Sequence, residues 1–176
     1  PRRTTIAEKA DFWMQVRPGA DDALALAMLN VVIGEKLYDE PFVTQWTHGF
    51  AELAEHVKKF TPDWAEPITW IAADQIRAAA RLFANTKPAL LDWGCAIEHT
   101  PKCIQTIRAV SMLPALTGNI DVPGGWVFGM KGLGRFPSLI ENLTPAANAK
   151  RLGADKFKLL GGEGAPYFHR ITNTGA

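Results

Sequence analysis

The chain has 176 residues, 47% of them hydrophobic and 21% charged, enough to bury the core of one compact domain. Nineteen basic residues against 18 acidic ones leave a net charge of +1, with no basic block of the kind that tracks a phosphate backbone, so nucleic acid is not expected as a partner. No apolar run approaches the roughly 20 residues that span a bilayer, and no apolar stretch follows Arg2-Arg3-Thr4-Thr5 to make a signal peptide.

In chain order, Asp11-Phe12-Trp13-Met14-Gln15-Val16 reads as a short strand, and Arg17-Pro18-Gly19-Ala20 as the turn after it. From Ala20 to Ile33, Ala23, Leu24, Leu26, Ala27, Met28, Val31 and Val32 cover a wide helical face behind Asp21 and Asp22, and Gly34 suits the helix stop. Pro41 fits the first turn of a second, short helix. A third helix runs over Ala51–Phe60, with Leu53, Ala54, Val57 and Phe60 on one face, and Thr61-Pro62-Asp63-Trp64 breaks it. Ala73-Asp74 opens a helix that carries Ile76, Ala79, Ala80 and Phe83 at helical spacing, with Asp74 as its early acid or cap.

After the turn at Asn85-Thr86-Lys87-Pro88, the apolar run Ala89-Leu90-Leu91-Asp92-Trp93 is too short for a helix and reads as a buried strand stopped by Gly94. Ile104, Ile107, Val110, Met112 and Leu113 describe a helix from Cys103 to Leu116, bent or ended by Pro114. Thr117 to Gly125 is turn chemistry, and beyond Trp126 glycine and proline punctuate an irregular tail. The expected fold is therefore α/β: a layered, Rossmann-like unit over 1–126, its short parallel sheet flanked by helices, followed by a Gly/Pro-rich segment over 127–176.

Three loops could carry chemistry. Arg17-Pro18-Gly19-Ala20-Asp21 joins a strand to a helix N-terminus, where an α/β fold presents backbone donors to a ligand. Gly19 permits close backbone approach, and the Asp21 carboxylate could accept hydrogen bonds from N1–H and the exocyclic amine of guanine; the competing reading is a plain helix cap. Trp93-Gly94-Cys95-Ala96-Ile97-Glu98-His99 also follows a strand, but a catalytic Glu98 and His99 would need a nucleophile or metal that is not evident, which leaves ligand contact or a solvated loop. Gly118-Asn119 and Pro123-Gly124-Gly125 make a third loop that could present amides to an anion or a heterocycle edge.

Other signals are bland. Cys95 and Cys103 have no neighbours at zinc-site spacing, and His48, His56, His99 and His169 are scattered. The six tryptophans read mostly as core or packing anchors. The cluster Gly129-Met130-Lys131-Gly132-Leu133-Gly134 lacks the order of a nicotinamide fingerprint, and neither a Walker loop nor a nucleophile elbow occurs.

The order of these segments resembles the dinucleotide-binding domain of the molybdopterin oxidoreductases, the dimethyl sulfoxide reductase family. Pro1-Arg2-Arg3-Thr4 resembles the family's Asp-Pro-Arg-x-Thr turn. Pro18-Gly19-Ala20-Asp21 resembles its Pro-Gly-Thr-Asp, followed by Ala23-Leu24-Ala25-Leu26-Ala27-Met28. Leu37-Tyr38-Asp39, Phe42-Val43, Thr47-His48-Gly49-Phe50, Arg108-Ala109, Leu116-Thr117-Gly118-Asn119 and Pro123-Gly124-Gly125 follow in order, and Arg151-Leu152-Gly153-Ala154-Asp155 continues more loosely. The branches with acetylene hydratase, formate dehydrogenase and thiosulfate or polysulfide reductase activity share the pattern. Three positions depart from it: Ala20 stands for the common Thr, Trp70 for the Gly of Ile-Thr-Gly, and Glu98-His99 where a Gln is frequent.

The resemblance implies an internal piece of a catalytic subunit whose other domains lie elsewhere in the parent chain, with electron-transfer subunits as further partners. It implies bis-molybdopterin guanine dinucleotide with molybdenum or tungsten, and an iron–sulfur cluster in the parent outside this stretch. It places Arg2, Arg3, Thr4, Pro18, Gly19 and Asp21 around the guanosine end of one pterin, runs Gly94, Glu98 and His99 close to the same cofactor, and gives Gln105, Gly118 and Asn119 as further contacts, with the Gly118–Gly125 loop on the pterin side. It assigns no catalytic residue and no metal ligand to this chain, and it leaves compartment open. A free-standing α/β nucleotide-binding or interaction domain is the alternative, and a nicotinamide-dependent enzyme a third.

Overall fold

The computed structural model describes residues 2–127 and 144–150. The chain divides into two compact units, Pro1–Phe128 and Gly129–Ala176. In the second, the described residues form one short helix, Pro145–Ala149, with the Thr144 hydroxyl accepting from the Ala147 N–H at 3.2 Å. The rest of the expected irregular tail, with the Gly129–Gly134 cluster, Arg151–Asp155 and His169, lies outside the described residues, as does Pro1.

The first unit is helical. A 3-10 turn at Ala7–Lys9 precedes α1 (Asp21–Gly34), α2 (Glu40–Trp46), α3 (Phe50–Val57), α4 (Pro62–Thr69), α5 (Ala73–Asn85), α6 (Cys95–Glu98) and α7 (Cys103–Leu116). Helix α1 is the axis of the packing, in contact with α3, α4, α5 and α7. Its buried residues Ala23, Ala25, Ala27, Met28, Leu29, Val31 and Val32 lie around most of its circumference, as expected of a helix enclosed by others. Alanine at three of these positions lets neighbouring helices approach closely. Leu29, Ile71, Ile76 and Leu113 are fully buried at the centre, and truncating such a side chain to alanine costs about 2–5 kcal/mol.

The helix ends follow their chemistry. The Asp39 carboxylate caps α2 by accepting from the Phe42 N–H at 3.0 Å, with Pro41 in the first turn. The break foreseen at Thr61-Pro62-Asp63-Trp64 is instead the start of α4: the Thr61 hydroxyl accepts from the Trp64 N–H at 3.2 Å, and Pro62 occupies a first-turn position that needs no N–H donor. Helix α7 continues through Pro114 to Leu116. Helix α1 ends in a Schellman motif, with Leu37 N–H donating to Val32 O at 2.8 Å and Lys36 N–H to Ile33 O at 3.1 Å; the left-handed residue is Lys36 (φ 55°), not Gly34.

The expected parallel sheet is absent: among the described residues there is no strand, and an isolated bridge joins Ile120 to Trp126. The two segments read as strands, 11–16 and 89–93, are extended, and Met14, Val16, Leu91 and Trp93 do turn inward against the helical core. A strand, however, needs a neighbour at hydrogen-bonding distance. Here the backbone bonds go to helices and side chains. Trp13 O accepts from Gln75 Nε2 at 3.0 Å, Arg17 N–H donates to Thr69 O at 2.9 Å, and Ala89 N–H donates to Asn119 Oδ1 at 2.9 Å.

Candidate functional site

The turn Arg17-Pro18-Gly19-Ala20 is closed by Ala20 N–H donating to Arg17 O at 3.0 Å, and Gly19 takes φ +80° at the position where such a turn requires a left-handed residue. Pro18 and Gly19 are exposed, and no atom lies within 4 Å of where a Gly19 Cβ would sit, so the backbone there is open to approach. Ala20 is the N-cap residue of α1 and makes no side-chain cap bond.

Asp21, the next residue, is half-buried, and among the described residues no hydrogen bond or ion pair engages its carboxylate. Asp22 differs: its side chain accepts from the Ala23 N–H at 2.9 Å and meets Lys102 at 3.6 Å. The capping reading of Asp21 therefore fails on geometry. A carboxylate carries two acceptor oxygens.

Asp21 lines a cavity of about 620 Å³ between the extended segments and helices α1 and α5. Its floor is apolar, with Leu24, Met28, Phe83 and Leu113, and its rim carries Asp11, Phe12, Asp92 and Ile97. The reading from sequence missed these rim residues because their proximity to Asp21 depends on how the two extended segments lie against α1, which no local pattern encodes. Next to Ile97, Gly94 is the N-cap residue of the one-turn helix α6, and Glu98 and His99 follow it, all exposed. Glu98 accepts from Trp93 Nε1 at 3.3 Å. At the start of the chain Arg2, Arg3 and Thr4 are exposed; the Arg3 guanidinium lies 5.6 Å from the Trp13 ring centroid, and the Thr4 hydroxyl accepts from Ala7 N–H at 3.3 Å.

The remaining candidates sit elsewhere. Gln105 is exposed on α7, accepts from Arg108 Nη1 at 3.4 Å, and lines a second cavity of about 710 Å³ with His48, His56 and Arg108. Asn119 is buried and its amide is fully engaged: Oδ1 accepts from Ala89 N–H, and Nδ2 donates to Thr117 Oγ1 at 2.8 Å. A Cβ on Gly118 would come within 2.5 Å of the Asp39 carboxylate, so glycine is needed there for packing as well as for its φ of +67°. The backbone N–H of Phe42, helped by Lys87 Nζ at 3.3 Å, holds the Asp39 carboxyl below the usual aspartate range. Gly118 and Asn119 thus tie the end of α7 to α2 and to the segment after Pro88.

Among the described residues no group of three or more His, Cys, Asp or Glu side chains could hold a metal ion. Cys95 and Cys103 are free thiols. No described helix is long and apolar enough to cross a membrane. None of the six tryptophans is fully buried: Trp46 and Trp70 are largely exposed, Trp64 packs on Phe60, and Trp93 packs against the core and edge-on to Trp126.

The helical unit thus sets the Asp21 carboxylate behind a Pro-Gly turn and over an apolar cavity. Its family is shown by comparison: the molybdopterin oxidoreductase model matches residues 1–171, and the chain belongs to that family. It is 38% identical over 176 residues to acetylene hydratase of Syntrophotalea acetylenica, covering 99% of this chain and 23% of that protein. Formate dehydrogenase H of Escherichia coli (strain K12) is 37% identical over 132 residues, 75% of this chain and 18% of the relative. The thiosulfate reductase molybdopterin-containing subunit PhsA of Salmonella typhimurium is 40% identical over 126 residues, 71% of this chain and 17% of the relative. The solved structure of acetylene hydratase from Pelobacter acetylenicus superposes with a TM-score of 0.65 at 43% identity, over 66% of this chain and 16% of that one. The chain thus spans less than a quarter of the length of these relatives.

Proposed function

We propose that this chain is the part of a molybdenum or tungsten enzyme that binds the guanosine end of a molybdopterin guanine dinucleotide. The observation that carries the reading is the half-buried, unengaged Asp21 carboxylate at the α1 N-terminus, directly behind the Pro18-Gly19 turn. The chemistry fits the group: a carboxylate can accept from both N1–H and the exocyclic amine of guanine, whereas adenine offers an acceptor at N1 and would be disfavoured. Pro18 and Gly19 lend open backbone to the ribose and phosphates. Arg2, Arg3 and Thr4 supply cationic and hydroxyl donors, and Gly94, Glu98 and His99 border the same region.

Gln105 is left out of this site because it faces the second cavity, and Gly118 and Asn119 because their contacts are already committed to the scaffold. When bound, the cofactor supplies dithiolene ligation of a metal at which redox or hydration chemistry takes place. The residues of this chain bind, select and orient. In the parent enzyme we place the metal ligand, any iron–sulfur cluster and any electron-transfer subunit outside this stretch.

Asp21→Ala in the full-length enzyme tests the reading. It removes two charge-assisted hydrogen bonds, each worth about 1.5–3 kcal/mol. Molybdenum or tungsten bound per polypeptide is expected to fall at least tenfold with the protein still folded; full metal occupancy would count against the assignment.

A further inference from the structure

Trp70 and Arg17 form an exposed pair beside the Pro18–Asp21 turn. Trp70 follows α4 at φ 66° and ψ 15°, a left-handed conformation that glycine adopts freely and tryptophan seldom does. Its neighbours Thr69 and Ile71 are fully buried, so its backbone is fixed, yet its own residue surface is 63% exposed. The ring belongs to neither the core nor its margin. The Arg17 guanidinium lies 5.6 Å from the ring centroid.

Arg17 is anchored at both ends of its peptide. Its N–H donates to Thr69 O at 2.9 Å, and its carbonyl accepts from Ala20 N–H at 3.0 Å, closing the turn that delivers Asp21. Arg17 opens that turn and Asp21 directly follows it, so the aromatic–cation pair and Asp21 belong to its two ends. A carboxylate reads the edge of a base and gives no hold on its face. An indole gives the face and little selection of the edge, because every base has one.

We propose that Trp70, steadied by Arg17, is a stacking platform for the purine ring whose edge Asp21 reads. The inference rests on the reading of Asp21 above and adds a positioning residue to it.

The test uses the full-length enzyme in three variants, Trp70→Gly, Trp70→Phe and Asp21→Ala, with two readouts: guanine nucleotide released on acid denaturation per polypeptide after prolonged gel filtration, and melting temperature. Trp70→Gly is expected to melt no lower than the parent, because glycine relaxes the left-handed backbone, and to lose nucleotide about tenfold faster, the scale of one base–aromatic stack. Trp70→Phe is expected to retain most of it. Unchanged retention in Trp70→Gly alongside loss in Asp21→Ala overturns the platform and leaves the Asp21 reading standing. Unchanged retention in both overturns both. Should Trp70→Gly not accumulate as folded protein, Trp70→Asn, another residue tolerant of this conformation, carries the same comparison.

Discussion

Asn119 shows how a single side chain can look like a ligand contact and serve the scaffold. It lies in a glycine-rich loop that suits a cofactor, yet its amide joins the Ala89 N–H to Thr117 with almost no exposure. Replacing it by leucine of similar size leaves the half-buried Ala89 N–H and one acceptor site of the Thr117 hydroxyl without a partner, while that hydroxyl keeps its bond to Leu113 O. Each such group costs about 1–3 kcal/mol, so Asn119→Leu is expected to lower the melting temperature of the full-length enzyme by several degrees. An unchanged melting temperature with reduced cofactor would instead make Asn119 a binding residue. Asp39 is the other linchpin, its carboxyl held below the ordinary aspartate value chiefly by the Phe42 N–H and then by Lys87. A depressed folded value means that the stabilisation is complete above the unfolded value of about 3.9 and is lost as pH falls through the lower folded one. The stability gap between the parent and Asp39→Asn is therefore expected at neutral pH and should close progressively below about pH 4. A gap that does not narrow in acid would contradict the role given to this cap.

The elements show which signals in a sequence are local. Helices α1, α2, α3, α5 and α7 were legible because their apolar periodicity, first-turn acids and caps lie within one segment. Helix α4 was not, because Thr61-Pro62 was weighed as a breaker when the same pair is a cap followed by a first-turn proline. The segments 11–16 and 89–93 were read as strands, but pairing is a relation between distant segments and was inferred from fold class; the described residues pack them on helices instead. Asp21 was legible from its turn. Its lack of a partner and its cavity rim with Asp11, Asp92 and Ile97 were not, since both depend on tertiary placement. The end of α1 offers a clean test at this scale. Lys36 occupies the left-handed position of a Schellman motif, so Lys36→Gly is expected to stabilise the enzyme by about 1 kcal/mol, read as a melting temperature raised by a few degrees. A lowered melting temperature would show that the lysine side chain outweighs its backbone strain.

At the level of the molecule, the first unit is helical and built around α1, and the chain belongs to the molybdopterin oxidoreductase family and spans less than a quarter of the length of the relatives named above. The proposed function divides the labour: this stretch would contribute an apolar cavity and the Asp21 carboxylate, and the rest of the parent the other contacts of the cofactor. The central claim is that Asp21, and not the neighbouring Asp22, selects and retains the guanine. Its most direct test is the amount of guanosine monophosphate liberated per polypeptide by hydrolysis of the cofactor from purified full-length Asp21→Asn and Asp22→Asn enzymes. An asparagine at 21 loses the charge and one of the two acceptors, so a fall of about tenfold is expected for Asp21→Asn, with Asp22→Asn near the parent value. Equal yields from both variants, or a loss confined to Asp22→Asn, would contradict the account.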